Sequence, residues 1–96
     1  MRPIEKKEYK KKKFILTPEV LIYHTPNQRE RLIQILLLYI ERIYVDPNMG
    51  KQSDVTFFIK TTNKAYAIRC KSSLDRNVWI KSLIHFTNLA KERNII

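Results

Sequence analysis

The sequence predicts a mainly β domain closed by one C-terminal α-helix. Two observations carry this. Residues 14–17 with 20–24, and residues 54–60 with 65–70, are two pairs of short runs rich in β-branched and aromatic residues across a tight turn, with Phe14 and Leu16, and Val55, Phe57 and Ile59, each spaced by two. A period of two is the mark of a strand with one buried face, and each pair reads as a hairpin. From residue 74 to about 93 the period changes. Trp79, Leu83, Phe86 and Ala90 recur at steps of four, three and four, with Ile80 and Leu89 widening the stripe. That is the apolar face of a helix.

Taken in order, residues 1–13 are the most polar part. Arg2, Lys6, Lys7, Lys10, Lys11, Lys12 and Lys13 face only Glu5 and Glu8, so half of the chain's net charge of +10 lies there. Phe14 and Leu16 then share one face of a strand. Thr17-Pro18-Glu19 is a turn signal, with Pro supplying a fixed φ, and residues 20–24 return.

Residues 25–45 fit two readings. Thr25-Pro26-Asn27-Gln28 looks like a helix start, and Leu32, Leu36, Tyr39 and Ile43 would form its stripe. Against this, Ile33, Ile35, Ile40, Ile43, Tyr44 and Val45 favour strands. The run of residues 36–40 is apolar all round and suits a curled strand buried on both sides. Asp46-Pro47-Asn48-Met49-Gly50 is a loop. In the second hairpin Val55, Phe57 and Ile59 point one way on the outgoing strand. Tyr66, Ile68 and Cys70 share a face on the return. Ser72 or Ser73 can cap the helix, Asp75 suits its positive end, and Lys91 and Arg93 its negative end.

Ninety-six residues make one small domain. With a single glycine, Gly50, the turns must be built from Pro, Asn, Thr and Asp. Nineteen Lys and Arg against nine Asp and Glu speak for a polyanionic partner: nucleic acid, an anionic membrane or an acidic protein. Cys70 is the lone cysteine, which fits a reducing compartment. No run of about 18 apolar residues exists, so a spanning helix is not expected. The charged N-terminus lacks the apolar stretch of a signal peptide, and residue 2 is Arg rather than the Gly of a myristoylation signal. The chain reads as cytoplasmic, with any membrane contact peripheral at the cytosolic face. His24 and His85 are far apart, no Cys/His spacing marks a zinc site, and no Gly-rich loop or Ser/His/Asp arrangement stands out. No enzyme activity, metal or cofactor is expected.

Short strands in hairpins ahead of one helix with a central Trp resemble the pleckstrin homology (PH) domain. "KKKKFILT" resembles the family's second strand and "VLIYH" its third. "FFIKTTNKAYAIRCKSS" resembles the sixth and seventh strands, and "DRNVWIKSLIHF" the C-terminal helix, with Trp79 at the hallmark tryptophan. The resemblance covers roughly residues 10–92. It implies that residues 31–45 form the fourth and fifth strands. It further implies a seven-stranded, bent barrel of two near-orthogonal antiparallel sheets, capped by a helix over residues 73–93 with Trp79 as the plug. Residues 1–9 are then a basic leader or an irregular first strand, 10–93 the domain and 94–96 a tail. The charged "MRPIEKKEY" departs from the small and apolar residues usual in the first strand, and Lys13 stands where an aromatic is usual. A start of this kind also suggests a piece of a larger protein.

The resemblance implies a peripheral membrane module that binds acidic phospholipid headgroups, phosphoinositides or phosphatidic acid, through its first hairpin. Lys10 and Lys12 match the basic pair of the family's second strand, and Tyr23 matches a third-strand position whose hydroxyl can reach a phosphate. Lys6 or Lys7 stands in for the first-strand lysine. From the residues themselves, side chains two apart on a strand share a face about 6.5–7 Å apart. Lys10 and Lys12 could thus grip one phosphate while Lys11 and Lys13 face solvent or lipid. Arg29 and Arg31 lie in the next loop of the same rim, and Lys64 is peripheral, in the later turn. Lysine is a point charge without a fixed fork, so such a rim reads charge density more than ring stereochemistry. The same residues also admit plainer readings. The lysine run can be a solvated leader or a guard against edge pairing, Tyr23 a half-buried strand residue, Trp79 and Cys70 core residues. Two other functions fit the sequence: a protein-interaction module using a sheet edge or the helix face, and a nucleic-acid binder. Aromatics interleaved with the basic residues are scarce, which argues against a nucleic-acid partner.

Overall fold

The computed structural model describes residues 12–26 and 31–93. Strands β1 (Lys13–Leu16), β2 (Val20–His24) and β3 (Ile33–Leu36) form one antiparallel sheet in that order. Strands β4 (Ile40–Tyr44), β5 (Thr56–Thr61) and β6 (Ala65–Arg69) form a second. Helix α1 (Ser73–Arg93) follows, over the residues its periodicity predicts. The chain is thus mainly β, with two three-stranded sheets and a C-terminal helix. Six strands lie among the described residues; the seventh implied by the resemblance would fall on residues 1–9, outside them.

Both tight hairpins close on a threonine rather than a glycine. The Thr17 amide and hydroxyl both donate to the Val20 carbonyl, at 2.9 and 3.0 Å, while its hydroxyl oxygen accepts from the Val20 amide at 3.0 Å. Thr61 repeats the device, donating to the Lys64 carbonyl at 2.9 and 3.0 Å and accepting from the Lys64 amide at 3.3 Å. A hydroxyl can donate once and accept twice, so one side chain satisfies both polar groups of the partner residue. The register follows: Phe14 opposite Tyr23, and Ile59 opposite Tyr66.

Residues 31–45 are strands, as the resemblance implied, but the strand expected through residues 36–40 is broken. A 3-10 turn, Leu37–Tyr39, carries the chain from β3 to β4 and so from one sheet to the other. Side chains three apart fall on the same side of such a turn. Leu37 and Ile40 are accordingly buried, while Leu36, Leu38 and Tyr39 are exposed. The Leu37 amide donates to the Glu19 carbonyl at 3.1 Å, pinning the crossover to the first hairpin. The loop after β4 is also more regular than expected. It forms 3-10 structure over Pro47–Asp54, capped by Asp46 and kinked at Gly50, whose φ of 64° suits a residue without Cβ. Asp54 therefore ends this segment instead of starting β5.

The core lies between the sheets and under the helix. Leu21 and Ile35 come from the first sheet, Ile40, Phe57 and Ile59 from the second, Leu37 from the crossover and Leu83 from α1. Ser72 caps the helix, its hydroxyl accepting the Asp75 amide at 3.0 Å. Asp75 stands in the first turn, Lys91 and Arg93 in the last, as the dipole favours. The Arg76 guanidinium donates to the Ser53 carbonyl and ties the helix start to the 3-10 segment. Trp79 is not a sealed plug. It is half-buried at the edge of the core, edge-on to Phe14 with ring centroids 6.0 Å apart. Cys70 is half-buried as well, packed against the core from its rim. Thr56 and Thr87 are buried with hydroxyls that have no partner among the described residues.

Candidate functional site: a lysine-rimmed cleft between two sheet edges

Among the described residues β1 ends the first sheet and β6 ends the second, and residues of both line one opening. Between them is a cleft of about 600 Å³. Its floor is the core itself, reached through Phe14, Leu21, Ile35, Phe57 and Leu83. Its walls are aromatic. Phe14 stacks on Tyr23 at 5.2 Å, Tyr23 meets Tyr66 edge-on at 6.4 Å, and Trp79 closes the helix side.

The mouth is basic. Lys12 and Lys13 reach it from the start of β1, Arg69 and Lys71 from the end of β6, and Asp75 is the only carboxylate in the lining among the described residues. Lys12 precedes the strand and is half-buried, donating to the Thr25 hydroxyl at 2.9 Å. Lys13, paired with His24 on the strand, is exposed. The expected opposition of their faces therefore does not separate them, because Lys12 lies outside the pleat. Cations from both sheets thus line one cleft, and low-dielectric walls strengthen the field of such charges toward an anion.

Two groups in the lining of the cleft titrate above their ordinary range. Burial, and then the neighbouring Tyr66, raises the pKa of the Tyr23 phenol. Burial and then Asp75 raise that of the Cys70 thiol, with Arg76 opposing. Tyr23 thus keeps its proton and can donate it in a hydrogen bond. Cys70 has the character of a small apolar wall residue, not of a nucleophile.

The site expected from sequence is only partly assembled here. Lys12, Lys13 and Tyr23 line the cleft. Lys64 does not: its ammonium sits 4.7 Å above the Tyr66 ring and borders a smaller hollow beside β3. Arg31 is exposed and lines neither hollow. Lys6, Lys7, Lys10, Lys11 and Arg29 lie outside the described residues. Arg69 and Lys71 were missed. The signal was present in "AIRCKSS", where both alternate away from Cys70, but nothing local says that the end of this strand faces the start of β1.

Among the described residues no group of three His, Cys, Asp or Glu gathers as metal ligands, and no helix is long and apolar enough to cross a membrane. No family model matches the sequence, and no curated protein does either.

Proposed function

We propose that this chain is a non-catalytic module that docks on acidic phospholipid headgroups, on a scaffold of the pleckstrin homology kind with its sheets packed as a bent barrel. The observation that carries the reading is the mouth of the cleft, where Lys12, Lys13 and Lys71 converge from two sheets with one carboxylate among them. Lipid phosphates would meet the lysines, and Tyr23 in the same lining would offer its hydroxyl as a further donor. Membrane contact would be peripheral and cytosolic, with either phosphatidic acid or a phosphoinositide as a suitable dense anion.

The test is co-sedimentation with phosphatidylcholine vesicles carrying rising fractions of phosphatidic acid. Retention rises with anionic lipid, falls with salt and survives an excess of duplex DNA. Each basic residue near an anionic leaflet is worth about 1 kcal/mol, so Lys13→Ala with Lys71→Ala weakens retention about 30-fold. Both side chains are exposed, and the melting temperature stays nearly unchanged. Unaltered retention of the double variant, or displacement by DNA, overturns the assignment.

A second reading has its own observation. Among the described residues β3 ends its sheet, and Ile33 and Leu36 on it and Leu32 just before it are exposed. An open apolar edge can accept a peptide strand. That reading has partner binding lost with Ile33→Lys and untouched by the lysine double variant.

A further inference from the structure

We infer that the cleft holds the acyl chain of a single-chain anionic lipid, a lysophosphatidic acid, with its phosphate at the lysine rim. The inference rests on the headgroup reading for the sign of the head, and adds a tail site that this reading does not need. A headgroup is wholly polar, yet the half-buried Phe14, Ile68 and Trp79 line the same cleft as Lys12, Lys13 and Lys71. A volume of about 600 Å³ lies within the range of small-ligand pockets, which are mostly apolar with a few convergent polar groups. Here the lysines come from the start of β1 and from just past the end of β6, while Tyr23 and Tyr66 stand in the wall. The distribution matches an amphiphile entering tail first and is wasted on a compact sugar phosphate.

Charge selects among amphiphiles. The three lysines against Asp75 favour an anionic head over a zwitterionic one. Tyr23, kept neutral at the wall, offers a hydroxyl donor without adding a negative charge.

Cys70 lines the cleft and is the chain's lone cysteine, so it reports occupancy without any label. The experiment follows alkylation of Cys70 by N-ethylmaleimide in the wild-type chain with oleoyl lysophosphatidic acid below its micellar concentration. Alkylation should slow at least tenfold at saturation, and Trp79 emission should shift to the blue. Across saturated chains of increasing length, half-protection should tighten about fourfold per methylene until the cleft is full. Glycerol 3-phosphate should not protect, and lysophosphatidylcholine should protect only at much higher concentration. Ile68→Phe, which adds bulk to the wall, should abolish protection while vesicle retention persists.

Unchanged alkylation with lysophosphatidic acid overturns the tail site, whatever the vesicles show. Equal protection by glycerol 3-phosphate overturns the role of the chain, equal protection by lysophosphatidylcholine overturns the role of the head's net negative charge, and equal protection by oleate overturns the role of the phosphate. Protection intact with vesicle retention absent leaves the tail site standing and sinks the membrane reading alone. The wild-type measurement decides the inference even if Ile68→Phe does not fold.

Discussion

Leu83→Ala tests how the two sheets are held together. Within the described residues no ladder joins β3 to β4; the chain crosses by the 3-10 turn, and α1 packs on that turn, on β4 and on β5. Leu83 is fully buried there, in one cluster with Leu37, Ile40, Phe57 and Ile59. Truncation to Ala deletes the equivalent of three buried methylene groups, about 2.4 kcal/mol of transfer free energy. A sealed void would raise the cost toward about 5 kcal/mol. Leu83 also borders the open cleft, so the space it leaves merges with one that already exists. The cost should therefore stay near about 2–3 kcal/mol. Domains of this size are stable by about 5–15 kcal/mol, so a large share of the total is at stake. Each kcal/mol moves the midpoint of a domain this size by about 4–8 °C, which makes the fall about 10–20 °C. Urea titration followed by helix circular dichroism reads it directly, with Val78→Ala as the control. Val78 is 55% exposed and should change stability by no more than about 0.5 kcal/mol. A loss below about 1 kcal/mol for Leu83→Ala, or an equal loss for the control, refutes the helix as the clamp.

Two further outcomes follow from single groups. Thr56→Val replaces a buried hydroxyl that has no partner among the described residues by a methyl on a strand, and should raise stability by up to about 1 kcal/mol in urea titration; a loss of that size would reveal a hydrogen bond to the hydroxyl. Cys70 has a raised pKa in the fold, from burial first and Asp75 second, so its alkylation should reach half-maximal rate at higher pH in the native than in the urea-unfolded chain, and Asp75→Asn should narrow the gap. Because folding favours the neutral thiol, this group's contribution to stability is full below the unfolded pKa and lost as pH rises through the native one; coincident native and unfolded profiles would refute the burial of the thiol.

The local elements were legible because each is governed by neighbours in sequence. Two-residue spacing marked β1, β5 and β6, the Thr17-Pro18-Glu19 turn marked β2 as the returning strand, and the three-four spacing marked α1 to its ends. Residues 31–45 were not legible. A run such as Leu36-Leu37-Leu38-Tyr39-Ile40 buries Leu37 and Ile40 and exposes the rest only because two sheets stand on either side of it. No local preference contains that fact. Thr87 was missed for the reverse reason: the stripe was drawn through apolar residues, and packing buried a polar one.

The candidate site divides the same way. By itself the sequence determined a basic start of the first hairpin, since charge is additive along the chain, and put Tyr23 one strand away. Only the tertiary structure decided the rest. Bringing the end of β6 beside the start of β1 added Arg69 and Lys71, residues 56 or more positions from the lysines they join, and left Arg31 and Lys64 elsewhere. The physical reason is that proximity between sheet edges is set by the packing of Leu21, Phe57 and Leu83 in a shared core, a many-body condition, whereas alternation and charge are properties of the chain read one residue at a time.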